Sequence, residues 1–141
     1  MDAQAHGRCL CGQVQFAVQL PVRWVAHCHC SMCRRGHGAG VVTWFGVAPA
    51  QFQLQHGEIV WFRSSEQAER GRCQHCGSPL FFRSTRWPDE LHIVLAAMNE
   101  PIAQSPQSHV YYADHVSWLP LADTLPRFRT LPREDNAPST S

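Results

Sequence analysis

Seven cysteines fall into three groups along the chain: Cys9 and Cys11, then Cys28, Cys30 and Cys33, then Cys73 and Cys76. An odd count leaves one thiol over in any fully paired disulfide framework. Cysteines two apart also bridge each other poorly, because a disulfide demands particular Cα separations and torsions. The spacings C-x-C, C-x-C-x-x-C and C-x-x-C suit a metal ion instead, since its thiolate ligands must converge on one point. Zinc is the ion this donor set favours. Buried apolar thiols, or a redox pair at Cys73 and Cys76, are the rival readings. Seven cysteines in three metal-type spacings weigh against both.

The groups divide four and three. Residues i and i+2 of an extended strand face the same side, so Cys9 and Cys11 are expected on a strand with both sulfurs to one side. Cys73-Gln74-His75-Cys76-Gly77 reads as a turn whose backbone amides wrap a sulfur. Together the two pairs make a closed four-thiolate site, the usual form of structural zinc. The string His27-Cys28-His29-Cys30-Ser31-Met32-Cys33-Arg34-Arg35 supplies three more thiolates. Three ligands leave a fourth position for water or substrate, which is what separates catalytic from structural zinc. A small thiol is a natural occupant, because zinc lowers its pKa. A site completed by His27 or His29 is the competing arrangement. The expectation is two zinc ions per chain, the second held less firmly.

Around the triplet, Arg34 and Arg35 offset negative charge. His37 lies on the glycine segment Gly36–Gly40, which either closes over the fourth position or stays an exposed loop. Ser64 and Ser65 cap a turn or line the pocket, and His109, near His115 and Trp118, is a candidate pocket residue. Arg34, His37, Ser64, Ser65 and His109 are thus the candidate substrate-binding residues. Trp44 or Phe45 is a candidate pocket wall, whereas Trp24, Trp61, Phe62, Phe81 and Phe82 are read mainly as core.

The elements that must position these groups are short strands. Val14, Phe16, Val18 and Leu20 alternate with Gln13, Gln15, Ala17 and Gln19, the period of a half-buried strand. Further β-like runs cover Val22–His27, Val41–Phe45, Phe52–Gln55, Ile59–Arg63, Leu80–Arg83, Leu91–Leu95 and Val110–Tyr112, with Gly, Pro and Asn between them. Ser64–Gly71 is polar and reads as a helical turn or a loop, and no segment carries a sustained helical stripe. The expectation is a mostly β single domain over 1–132, followed by a flexible tail over 133–141.

Twelve basic and eleven acidic residues give a formal charge of +1. No electrostatic footprint for nucleic acid or an anionic membrane is present. The uncharged run Gly36–Gly57 holds five glycines, a proline and three glutamines, which excludes a membrane helix. Residues 1–12 lack the basic and apolar segments of an export signal. Reduced thiols and the absence of that signal place the expected protein in the cytoplasm.

These motifs together carry a family resemblance. Gly7-Arg8-Cys9-Leu10-Cys11-Gly12-Gln13-Val14-Gln15-Phe16, Cys28-His29-Cys30-Ser31-Met32-Cys33-Arg34, Ser64-Ser65 with Arg70, and Cys73-Gln74-His75-Cys76-Gly77-Ser78-Pro79-Leu80 resemble the glutathione-dependent formaldehyde-activating family. His109, Trp118 and Leu125-Pro126-Arg127-Phe128 continue the likeness, which covers roughly residues 7–128. The resemblance implies a β-tent (Mss4-like) fold of small antiparallel sheets organised around zinc. It implies a structural zinc on Cys9, Cys11, Cys73 and Cys76, and a catalytic zinc on Cys28, Cys30 and Cys33. The implied activity is that of a carbon–sulfur lyase joining glutathione and formaldehyde as S-hydroxymethylglutathione. A non-catalytic zinc module that binds a protein partner, or a thiol or metal sensor, is the alternative use of the same scaffold.

Overall fold

Short strands dominate the chain, which a computed structural model describes over residues 3–132 and 138–139. In order they are β1 (Gln4–Arg8), β2 (Gln15–Gln19), β3 (Trp24–Cys28), helix α1 (Ser31–His37), β4 (Val42–Val47), β5 (Phe52–His56), β6 (Ile59–Arg63), β7 (Ala68–Cys73), β8 (Pro79–Ser84), β9 (Leu91–Val94), β10 (His109–Val110), β11 (Arg127–Phe128) and β12 (Pro138–Ser139). The mostly β expectation holds. The chain forms two compact units: residues up to Trp24 with Phe45–Gln104, and Val25–Trp44 with residues from Ser105 onward.

In the first unit β2 lies between β1 and β5, antiparallel to both. The alternation read from Gln13 to Leu20 therefore marks a real strand, although Ala17 on its polar phase is buried too. Strands β6, β7, β8 and β9 form an antiparallel run in that order. Phe16 of β2, Phe52 of β5 and Phe81 of β8 meet with ring centroids 5.2–5.5 Å apart and make the centre of this unit's core. Each such aromatic contact adds about 0.5–1.5 kcal/mol beyond the area it buries. The close approach of β1 to β2 requires Gly7, because a Cβ there would stand 2.4 Å from Phe16 Cζ.

Of the loop or helical turn expected over Ser64–Gly71, only residues 64–67 form a turn; residues 68–71 belong to β7. Its buried positions include Ala68 and Gly71, too small to register as an apolar stripe. Phe62, read as core, is instead 59% exposed. Trp61 is covered on one face by the Arg83 guanidinium, 3.7 Å from its ring centroid, a cation–π contact.

In the second unit β10 pairs in parallel with β3 and with β11. His109 stands opposite His27 and Val110 opposite Cys28. The His29 N–H donates to the Val110 carbonyl at 3.0 Å, continuing that ladder beyond the end of β3. The tail expected over 133–141 lies outside the described residues, apart from Pro138–Ser139, which pair antiparallel with β11.

Helix α1 is the one α-helix among the described residues. Its seven residues are too few to show an apolar stripe, but its ends carry local signals. The Cys30 side chain is the N-cap, its sulfur accepting the Cys33 N–H at 3.2 Å. Gly38 closes the other end in the left-handed conformation, φ 62°. Arg34, Arg35 and His37 sit in the last turn, where positive charge suits the helix dipole. No described helix is long and apolar enough to cross a membrane.

Candidate metal centres

Both cysteine groups converge, and each lies within one unit. In the first unit the sulfurs of Cys9, Cys11, Cys73 and Cys76 lie within 4.8 Å of one another. Cys9 and Cys11 do not stand on a strand as expected: β1 stops at Arg8, and the chain turns through Gly12 at φ 82°. The turn brings amides to the sulfurs. Val14 N–H donates to Cys9 Sγ at 3.3 Å and Gln13 N–H to Cys11 Sγ at 3.4 Å. Cys73–Ser78 repeats the design, with the His75 and Cys76 amides donating to Cys73 Sγ. In both loops the leading cysteine N–H bonds the carbonyl five residues on, Cys9 to Val14 and Cys73 to Ser78. The Ser78 hydroxyl links the loops by accepting the Leu10 N–H and lying 3.1 Å from Cys76 Sγ.

The donor set fits a tetrahedral zinc ion. Thiolates at about 2.3 Å from zinc stand about 3.8 Å from each other. The Cys9–Cys11 and Cys11–Cys73 sulfurs are 3.5 and 3.9 Å apart. Without a cation, four adjacent thiols cannot ionise alike. The Ser78 hydroxyl and nearby amides lower Cys76 to about 5. For Cys11 the Gln13 amide pulls down, but burial and the neighbouring sulfurs outweigh it and push it up to about 12. A divalent ion removes that conflict by neutralising charge at the centre.

In the second unit Cys28 ends β3, Cys30 caps α1 and Cys33 lies in its first turn. The C-x-C-x-x-C spacing is thus a strand end followed directly by a capped helix. These three sulfurs also lie within 4.8 Å of one another, with Cys28 and Cys33 3.5 Å apart. Cys28 and Cys33 are buried and Cys30 is partly exposed, so the cluster is reached from the Cys30 side. The other two thiols, then burial, raise Cys28 well above the ordinary thiol range. Loading a metal must therefore displace its proton.

Neither His27 nor His29 joins the triplet among the described residues. His27 Nδ1 lies 2.8 Å from Thr43 Oγ1, and its ring stacks on His109 at 4.9 Å. His29 Nε2 lies 2.8 Å from His109 Nδ1, and His109 Nε2 lies 3.0 Å from both oxygens of Asp123. His29 and His109 are only 2% and 1% exposed. Burial first, then the facing His109 with His115, His27 and Arg127, lowers His29 to about 4. Burial opposes ionisation of Asp123, but hydrogen bonds from His109 and the Leu125 N–H hold its carboxyl below the usual range. Asp123 was not legible as a site residue: it is fourteen positions from His109 and carries no local motif.

The remaining candidates separate by unit. Arg34 lies on α1, its Nε buried without a hydrogen-bond partner. His37 packs edge-on against Trp44, centroids 5.1 Å apart, and Trp44 and Phe45 are both buried. Ser64 and Ser65 belong to the first unit, where their amides bond the Ala68 carbonyl in the turn between β6 and β7. These are main-chain bonds, and the buried Ser64 hydroxyl itself has no hydrogen-bond partner in the structure. Gly40 is pressed against Trp118, so that a Cβ there would stand 2.9 Å from its ring.

Comparison with known proteins bears on the whole assembly. The family model described as glutathione-dependent formaldehyde-activating enzyme matches residues 4–114. A Halomonas elongata protein whose name carries the same family description is 28% identical over 125 residues, spanning 81% of this chain and 78% of its own. A crystal structure of a Rhodobacter sphaeroides protein superposes with a TM-score of 0.58 at 22% identity, covering 72% of this chain and 97% of that one. The last comparison speaks for the fold alone.

Proposed function

Because the chain belongs to the glutathione-dependent formaldehyde-activating enzyme family, we propose that Cys28, Cys30 and Cys33 hold a zinc ion at which a small thiol, glutathione first among candidates, is joined to an aldehyde. Cys9, Cys11, Cys73 and Cys76 hold a second, structural zinc. The observation that carries this reading is the incomplete donor set: three sulfurs converge in the second unit, with no fourth His, Cys, Asp or Glu among the described residues. A closed structural site needs four ligands.

When bound, zinc lowers the pKa of a coordinated thiol and so favours the nucleophilic thiolate. The chain's own residues do the rest. Cys28 and Cys33, buried, wall the inner side, while the partly exposed Cys30 marks the side of entry. Arg34, on the helix that begins beside Cys30, brings a positive charge that suits a carboxylate, of which glutathione has two. In the reaction a carbon–sulfur bond forms as the aldehyde C=O becomes C–O–H, and the thiol proton ends on that oxygen. No oxidant or reductant is required, and the reverse direction is the lyase reaction.

The test is the rate of S-hydroxymethylglutathione formation from glutathione and formaldehyde, followed with and without zinc-loaded protein. The expected result is a rate above the uncatalysed one and proportional to protein, falling when cysteine or 2-mercaptoethanol replaces glutathione. Acceleration with none of these thiols would leave the scaffold as a non-catalytic module or a sensor.

A further inference from the structure

A strand at the edge of a sheet presents a row of unpaired N–H and C=O groups, which invite another strand unless something covers or blunts them. In the first unit β1 is covered. Gly7 bridges to Met98, the Asn99 N–H donates to the His6 carbonyl, and the His6 N–H donates to the Glu100 carboxylate. β5 is blunted by the exposed polar side chains of Gln53, Gln55 and His56. β6 has neither protection. It ends its run of strands, pairing with β7 on one side and with no other strand among the described residues.

The composition of β6 leaves that edge open. Its residues Ile59-Val60-Trp61-Phe62-Arg63 include no proline and no lysine, and they pair with β7 position for position without a bulge. Which backbone groups face outward follows from the ladder. Ser64 N–H donates to the Ala68 carbonyl, and the Glu58 carbonyl accepts the Gln74 N–H, so even-numbered residues turn their backbone groups toward β7. Inward and outward residues alternate along an antiparallel strand. The N–H and C=O groups of Ile59, Trp61 and Arg63 therefore point away from β7. Phe62, whose side chain lies on the face opposite that of Trp61, is 59% exposed.

We propose that β6 pairs antiparallel with β6 of a second copy of this chain, about a two-fold axis at Trp61, to make a symmetric dimer. In this register Trp61 opposes its own counterpart, and Ile59 opposes Arg63 of the second copy in both directions. All three outward residues are then used, each opposed pair exchanging two hydrogen bonds. A shift of two residues leaves one of these pairs unmade. A shift of one opposes outward residues to inward ones, which a two-fold axis forbids. Val60 and Phe62 face each other on either side of the axis, an aromatic–β-branched pairing that stabilises sheets and covers the exposed ring. The strand ends suit the same arrangement. Glu58 precedes β6 and Arg63 closes it, so antiparallel copies bring the acidic end beside the basic end, whereas parallel copies would match like charges. Arg83, lying over Trp61, brings no unbalanced charge to the axis, because Glu69 pairs with it at 3.0 Å. A two-fold contact also closes on itself and leaves no open edge at β6 for further growth.

The experiment is analytical ultracentrifugation of the zinc-loaded protein over a wide concentration range, with amide hydrogen exchange by NMR on the same samples. Wild type, Phe62→Lys and Arg63→Pro are compared. Wild type should pass from monomer to dimer, and the Ile59, Trp61 and Arg63 amides should gain protection in step. The Val60 and Phe62 amides, bonded to β7, should be protected throughout. Phe62→Lys replaces an exposed ring with a charge and spares the monomer, but should weaken the dimer about 10-fold or more. Arg63→Pro removes an N–H that β7 does not use, so the monomer keeps its ladder while the dimer weakens by about the same factor. Thermal melts at the dilute end should match wild type for both variants. If one variant melts early, the other variant and the wild-type amide pattern decide the matter. A wild type that stays monomeric at every concentration would overturn the proposal and leave the edge to a strand of a different polypeptide. So would a dimer without protection of the three outward amides, variants that dimerise as wild type does, or assemblies larger than a dimer.

Discussion

Cys76→Ser is expected to leave the protein unfolded or aggregated. The four sulfurs of its cluster tie the loop after β1 to the loop after β7, segments 62 residues apart at the Cys11–Cys73 contact. Structural zinc in small domains contributes on the order of 10–16 kcal/mol of apparent binding free energy. A whole domain is stable by only about 5–15 kcal/mol. If the loss of Cys76 releases the ion, the free energy lost is comparable to the entire stability. Serine at position 76 would keep the hydrogen bond with Ser78 but is a poor zinc ligand at neutral pH. Far-ultraviolet circular dichroism and urea titration check this, with chelator-treated wild type as the reference; a cooperative unfolding curve at wild-type midpoint would refute it.

Cys30→Ser should do the opposite, sparing the fold and removing turnover. Cys30 Sγ has a second task as the N-cap of α1, accepting the Cys33 N–H. Serine is a preferred N-cap residue, so the helix should keep its start. The triplet, however, falls to two sulfurs and its most accessible ligand is gone. The loss in kcat/KM should exceed the 10- to 100-fold that changes behind a metal site typically cost, so more than about 100-fold. The measurement is steady-state kinetics beside a thermal melt. Retained turnover, or a melt as damaged as that of Cys76→Ser, would contradict the division of labour between the clusters.

The grouping of the cysteines into four and three was legible in the sequence because cysteine spacing is local chemistry. C-x-C and C-x-x-C hold ligands within one turn of chain, so grouping them needed no knowledge of the fold. The geometry behind the grouping was less accessible. Cys9 and Cys11 lie in a glycine turn and not on a strand, because Gly12 adopts a left-handed φ that alternation cannot reveal. β6 begins and ends where its aromatic and β-branched run does. β1 and β7 escaped detection because, besides Cys73, their buried residues are Ala5, Gly7, Ala68 and Gly71, packed by close approach instead of bulk. The helix α1 escaped because seven residues cannot display a stripe. His29 and His109, 80 positions apart, meet only through the parallel pairing of β3 and β10. No spacing rule finds that contact, and Asp123 comes with it.

The central claim is that the Cys28–Cys30–Cys33 cluster is a metal centre open to a thiol. The most direct measurement is the metal-to-protein ratio during titration with glutathione, using cobalt(II) in place of zinc so that thiolate-to-metal absorption reports each site. Two ions per chain are predicted, one with a spectrum unchanged by the thiol and one altered by it, the second absent in Cys30→Ser. A single tightly held ion, or a second ion indifferent to glutathione, would contradict the account.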